Sequence, residues 1–361
     1  MVRFWRRVAW LEPFWVLALG VVLLVPARFL PGGLEPYLSR ATPYAIGGLL
    51  LGWPVRWLAY RRFSVRTPLD WSLGLILLWL PVTFWASADK TLSWQALGYM
   101  AVGLGLYFAL INWPPAQERP LWVGAALLGV AVLLALAAPL LSQFALSKLF
   151  RLGQLNPIFQ RLADLTPGNV NANVMAGALV VVWPLWAGLA LRPEWAKRRW
   201  WSWLCGVVAV GMLGVLFLTQ SRGAYLAAAA GLGVLFLMRW PKLVYALPVA
   251  ALAVAFAVVR IGPDAILNQV TSGAAAQSAL NSLEGRLELW SRALYAIQDF
   301  SFTGIGIGTF QVVIPLLYPY FLISPSTTIT HAHNLFLQVA VDWGIPGLIA
   351  YLALHINVFV M

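Results

Sequence analysis

Residues 201–240 read WSWLCGVVAVGMLGVLFLTQSRGAYLAAAAGLGVLFLMRW. Two apolar runs, 201–219 and 224–240, meet across the short polar interruption Gln220-Ser221-Arg222. A spanning helix needs about 20 mostly apolar residues, and each run comes close to that length. Hydrocarbon offers no partner to a backbone N–H or C=O, so such a run must satisfy its own polar groups as a helix. Neither run alternates as a barrel strand does. This pair sets the fold class: an all-α polytopic membrane protein, a bundle of transmembrane helices.

The same composition extends outward over the whole chain. Of 361 residues 61% are hydrophobic and 10% charged, whereas about a quarter of a soluble domain is charged. Ten runs have spanning length: 13–30, 42–59, 69–86, 95–113, 121–141, 172–191, 201–219, 224–240, 243–260 and 344–361. Residues 1–260 are thus expected to form a nine-span bundle. Residues 261–343 would then be one large water-facing segment, and 344–361 a tenth span. The chain stops at Met361 inside that run, so the last span is expected to be incomplete. At the other end, Arg28 and Pro31 leave no convincing small-residue cleavage site, so the first run is expected to be a retained helix rather than a signal peptide.

The net charge of +12 comes from short basic groups set between apolar runs, which argues against nucleic acid. It also orients the chain. With a cytoplasmic N-terminus, the inside set includes Arg3, Arg6, Arg7, Arg56, Arg61, Arg62, Arg66, Arg192, Lys197, Arg198 and Arg199, and it carries most of the basic excess. Segment 261–343 then faces the periplasm or the exterior. A smaller segment on the same side, 142–171, carries Lys148, Arg151 and Arg161 with Pro157 and Pro167, and reads as a loop with a short surface helix. Cys205, the only cysteine, lies in an apolar run and reads as packing. In the large segment, Leu287, Leu289, Trp290, Leu294 and Ile297 alternate with Glu284, Arg286, Glu288 and Arg292 at helical spacing. This predicts an amphipathic helix from Leu283 to Phe300, broken afterwards by Gly304, Gly306 and Gly308.

Ionisable groups at a membrane edge are costly, and three places qualify as candidate sites. Gln220, Ser221 and Arg222 form a polar trio with almost no loop around it, where the planar guanidinium suits a phosphate. An arginine snorkelling at a turn is the alternative. Arg286 and Arg292 lie on the amphipathic helix, where Glu284 or Glu288 would also serve as ordinary surface partners. His331 and His333 precede Asn334 and an apolar helix. A neutral imidazole there can take a proton from an attacking hydroxyl. Helix capping by His333 with Asn334 is the alternative. Metal binding is the weaker idea, because no cysteine or carboxylate cluster with ligand spacing stands nearby. His355, within the last run, reads as a packed or inter-helix residue. Arginines and a histidine on one face suit an anionic, lipid-linked substrate.

These residues resemble the O-antigen ligase and polymerase family, which includes membrane oligosaccharyltransferases acting on proteins. His333-Asn334, nine residues, Gly344, two residues and Gly347 look like the family's ligase signature. Ser221-Arg222-Gly223-Ala224 resembles its characteristic turn, and Leu226 completes an Arg-x-x-x-Leu pattern. Glu284-Gly285-Arg286 with Trp290 and Gly306-Ile307-Gly308-Thr309-Phe310 is similar to its loop. Asn173 and Ala176 resemble a further element. The resemblance covers the chain from about Asn171 onward.

It implies transfer of a glycan from undecaprenyl diphosphate to an acceptor hydroxyl at the outer face of the bacterial cytoplasmic membrane, without metal, cofactor or nucleotide sugar. The implied fold is similar to other polyprenyl-dependent glycosyltransferases of the GT-C type. Arg222 and Arg286 would hold the diphosphate, and His333 would position or deprotonate the acceptor. Gln220, Ser221, Asn334, His331, Arg292 and Asn173 would line the substrate. The acceptor would be a glycolipid, a growing glycan or a protein, which leaves ligase, polymerase and protein O-oligosaccharyltransferase open. A transporter of lipid-linked saccharides is the alternative of a different class. It fits less well, because the polar groups gather at one edge rather than at mid-membrane.

Overall fold

Each of the ten apolar runs is helical over most of its described length in the computed structural model, which describes residues 1–24, 35–144, 146, 153–165, 170–191, 199–261, 283–324 and 327–360. Arg28, Pro31, Lys148, Arg151, Pro167, Arg192, Lys197, Arg198 and the first part of the large segment, 262–282, lie outside the described residues.

Six of the described helices are long and apolar enough to cross a membrane alone: Lys90–Asn112, Val123–Leu141, Ala172–Ala190, Trp200–Leu218, Arg222–Arg239 and Leu335–Val360. A seventh crossing arises if Val2–Trp10 and Glu12–Leu24, bent by 46°, act together. Among the described residues, six or seven spans thus pass by length and composition. The second expected span is split at Leu51 into Glu35–Leu50 and Gly52–Tyr60. The third, Asp70–Ala86, has only 17 residues, and the ninth is a 3-10 turn followed by the 15-residue helix Leu247–Ile261. The chain is a multi-pass, all-helical membrane protein.

Contacts divide the chain into two compact units, one of residues 1–120 with 278–361 and one of residues 121–277. This division cuts across the one by side of the membrane expected from sequence.

In the first unit, Val16, Leu49, Val102 and Ala109 form a core between the first, second and fourth expected spans. Arg56, which the sequence placed among loop charges, is 1% exposed. Its Nη1 lies 3.1 Å from Glu12 Oε1 and donates to the Phe108 carbonyl at 3.0 Å, with the guanidinium 5.1 Å from the Trp53 ring. A buried cation of this kind persists because its partners are in place.

The segment 283–343 has its own core of Leu289, Ala293, Ile305, Phe310, Ile314 and Ala332, into which Val341 of the last helix is packed. That helix begins at Leu335, nine residues before the expected boundary at 344, and is broken at Gly344 (φ 69°, ψ −176°). The carbonyls released by the break are caught one by one. Ile305 N–H donates to Val341 O at 2.8 Å, Thr83 Oγ1 to Asp342 O at 2.6 Å, and Trp79 Nε1 to Trp343 O at 2.7 Å. Ile345 N–H returns to Ser301 O at 2.7 Å. Gly304, Gly306 and Gly308 all have positive φ, and a Cβ on Gly306 would run into the Ser87 backbone. Ser93 Oγ donates to Ile307 O at 2.6 Å, which completes the fastening of this glycine strap to residues 83–93.

The second unit is built on Leu179, Trp183, Met212 and Leu216, packed between Ala172–Ala190 and Trp200–Leu218. Cys205 is buried there, as its apolar setting indicated. The short helix expected between 142 and 171 is Asn156–Ala163. It lies between two-residue strands, Ser142–Gln143 and Val170–Asn171, which pair in parallel.

Candidate functional site

His331 and His333 project from a backbone that is pinned at the residue between them. Ala332 is 0% exposed. Its N–H donates to Gln338 Oε1 at 2.7 Å, and its carbonyl accepts from Trp290 Nε1 at 3.0 Å. With Ala332 fixed inward, both neighbours face outward, their ring centroids 4.3 Å apart. His333 holds the left-handed conformation at φ 51°, which a non-glycine residue adopts at a cost of about 1–3 kcal/mol. Thr330 Oγ1 lies 2.8 Å from His331 Nδ1.

Asn334 is the helix cap. Its Oδ1 accepts from the N–H groups of Phe336 at 3.1 Å and Leu337 at 3.3 Å, satisfying two of the free donors at the start of Leu335–Val360. The capping role left open between His333 and Asn334 thus falls to Asn334, and the His333 ring takes no part in the cap.

Arg286 stands one turn before Trp290 on the helix Leu283–Asp299, exposed and without a hydrogen-bond or ion-pair partner among the described residues. Protein crowding, then His331, then the Arg286 guanidinium hold His333 below the ordinary imidazole range. Crowding alone lowers His331. Both rings keep an exposed edge, yet each favours its neutral, proton-accepting form near neutral pH.

Arg292 does not join this group. Six positions along a helix is a rotation of about 240° from Arg286. It points instead at the segment after Leu317. Its Nε donates to Pro319 O at 2.9 Å, its Nη2 lies 3.6 Å from Glu288 Oε1, and the guanidinium covers the Phe321 ring at 5.1 Å. The same Glu288 carboxylate accepts from the N–H groups of Phe321 at 2.5 Å and Leu322 at 3.0 Å. The structure thus shows Arg292 in contact with Pro319, Glu288 and Phe321, on a different face of the helix from Arg286.

The turn 217–225 belongs to the second unit and is held largely by its own residues. Thr219 Oγ1 donates to Leu216 O at 2.6 Å and accepts from Ser221 N–H at 3.3 Å. The Tyr225 hydroxyl donates to Phe217 O at 2.5 Å, stapling one helix to the next. Gln220 is fully buried in the left-handed conformation (φ 50°), and its Nε2 donates to Leu146 O at 2.5 Å. Its side chain lies inside the protein. Ser221 precedes the helix Arg222–Arg239 in extended conformation without capping it. The first N–H groups of that helix are therefore uncapped beside the half-buried Arg222, whose guanidinium has no partner among the described residues. Uncapped N–H groups and a guanidinium together favour an anion. Asn173 is exposed in the first turn of Ala172–Ala190, a helix capped by Asn171 Oδ1 on Asn173 N–H at 2.8 Å, and Ala176 is buried.

Sequence reasoning missed Gln338 and Asp342, and gave Trp290 no task. A signal existed: two polar residues at i and i+4 in an otherwise apolar run share one helix face. His355 is satisfied within its helix, its Nδ1 2.9 Å from Tyr351 O.

The O-antigen ligase family matches residues 207–352, a stretch that holds Arg222, Arg286, His331, His333, Asn334, Gly344 and Gly347, and excludes Asn173. No curated protein matches the chain. Residues 207–352 of the chain are thus similar to the O-antigen ligase family.

Proposed function

We propose that this protein transfers a glycan from undecaprenyl diphosphate to an acceptor hydroxyl at the outer face of the bacterial cytoplasmic membrane, without a metal ion. The observation that carries the reading is the outward-facing pair His331 and His333, their ring centroids 4.3 Å apart, within the region of the family match, with Arg286 among the groups that lower His333. As the acceptor oxygen attacks the anomeric carbon, the new glycosidic C–O bond forms and the bond to the diphosphate breaks. The hydroxyl proton passes to His333, and the leaving diphosphate takes the bonding electrons. Arg286 offsets the charge that develops there. Arg222, whose guanidinium has no partner among the described residues, serves the same anionic substrate class. The acceptor is a glycolipid in the ligase form of this reading, and a growing glycan or a protein in its polymerase and oligosaccharyltransferase forms.

The test is transfer of a labelled glycan from undecaprenyl diphosphate, with chelator present, by the whole protein in lipid nanodiscs beside His333→Ala. Wild type is expected to form product, and the variant to lose on the order of 10²–10⁴ in rate. His333 is lowered, so its basic form persists below pH 6.5 and the acid limb of the rate profile lies below that value. Arg286→Gln removes a positive neighbour, raises the histidine and moves the limb to higher pH. A donor that binds but is never consumed, whatever acceptor is offered, would replace transfer with transport.

A further inference from the structure

We propose that Trp290 and Gln338 are positioning residues which grip the Ala332 peptide from opposite sides and so set both histidines against Arg286, with Asp342 fixing which way the Gln338 amide faces. The proposal rests on the reading that His333 receives the acceptor proton.

The geometry has three parts. First, the residue between the histidines is held at both of its backbone polar atoms, one in each of the two peptide groups that flank it, the Ala332 N–H by Gln338 Oε1 at 2.7 Å and the Ala332 carbonyl by Trp290 Nε1 at 3.0 Å. Ala332 itself is closed in the core, so neither bond has water to replace it. Second, a glutamine amide has one accepting and one donating end, and a rotation of 180° exchanges them. Gln338 lies beside the Asp342 carboxylate, which accepts Gly308 N–H through Oδ2 at 3.2 Å. An accepting carboxyl oxygen favours the NH₂ end and disfavours the carbonyl end. Asp342 is 7% exposed, so this preference is little screened, and it leaves the Gln338 carbonyl facing Ala332. Third, Trp290 lies four positions after Arg286 on one helix, so the grip that holds the histidines is referenced to the same element as the cation. The left-handed turn at His333 is a conformation that the chain would leave if released, and the grip opposes that release.

Trp290→Phe keeps the ring packing and removes only the indole N–H. Gln338→Leu keeps the volume and removes both polar ends. The whole protein in nanodiscs would be read in two ways. In the transfer assay each variant is expected to lose on the order of 10- to 100-fold in kcat, with KM for the lipid-linked donor unchanged, because a displaced base slows the chemical step and leaves donor contacts intact. Independently, titration of ¹⁵N-labelled histidine is expected to show His333 below the ordinary range in wild type and closer to it in both variants, as the ring leaves His331 and Arg286.

Folded variants with wild-type kcat and wild-type histidine titration would overturn the proposal. A rise confined to donor KM would also overturn it, assigning the pair to donor binding. A shifted titration in a protein whose wild type transfers nothing would uphold the positioning and sink the transferase reading alone. Should Gln338→Leu fail to fold, Trp290→Phe carries the same test.

Discussion

Arg222 and Arg286 are alike as side chains, each a guanidinium without a protein partner among the described residues, yet the backbones that carry them are built in opposite ways. Around Arg222 the bonds run between near neighbours: Thr219 to Leu216, Ser221 to Thr219, Tyr225 to Phe217. Around Arg286 and His333 they span the sequence. Trp290 reaches 42 positions to Ala332, Gly308 reaches 34 to Asp342, and Thr83 reaches 259 to the carbonyl of Asp342. A site of the first kind tolerates change elsewhere in the chain. One of the second kind is as stable as the least secure of several distant contacts. The glycines of the two regions make the contrast measurable.

The largest effect is expected at Gly344. Its φ of 69° is left-handed, and a Cβ there would run into the Phe302 carbonyl. Gly344→Ala must move the last helix off the 301–305 segment, losing Ile345 N–H to Ser301 O and Ile305 N–H to Val341 O together. Strain plus two buried backbone bonds amounts to about 3 kcal/mol or more. Thermal unfolding in detergent is expected to start well below that of wild type, and transfer to fall with it. An unchanged melting curve would remove the contrast between the regions.

The sequence revealed the apolar helices because hydrophobicity is a property of each run by itself. It revealed the order of Arg222, Arg286 and His333 because motifs are local strings. It did not reveal what the glycines are for. Gly306 is needed because the Ser87 backbone occupies the place of its side chain, and Ser87 is more than 200 positions away. The start of the last helix was misplaced at 344 for a related reason. Gln338 and Asp342 both lie inside the helix that begins at Leu335, and their polarity is taken up by Ala332 and Gly308, partners that the hydropathy of the run does not show. Arg292 and Arg56 were misjudged alike, since Pro319, Glu288, Glu12 and Phe108 are partners only the fold supplies.

A smaller effect is expected at Gln220, the one buried side chain of the 217–225 turn with a distant partner. Gln220→Met keeps an unbranched chain and leaves the Leu146 carbonyl without that donor, a loss of about 1–2 kcal/mol. The melting temperature is expected to drop, but less than for Gly344→Ala. A larger drop would mean that this turn also depends on remote contacts, and that its local bonds are incidental.

The smallest stability effect, and one of opposite sign, is expected at Gly223. It lies in the first turn of Arg222–Arg239 with ordinary helical backbone, and a Cβ there meets nothing within 4 Å. Alanine restricts the unfolded chain more than glycine, so Gly223→Ala is expected to be neutral or stabilising by up to about 0.5–1 kcal/mol. The transfer assay then separates two ways in which Arg222 can act. If the guanidinium alone meets the substrate, a methyl group on the next residue leaves the rate unchanged. If the substrate's anionic group also lies on the uncapped N–H groups at the helix start, the methyl group obstructs that approach. The variant would then melt no lower than wild type and bind the lipid-linked donor more weakly. That outcome would make the backbone, rather than the side chain alone, the reason for a glycine at this position.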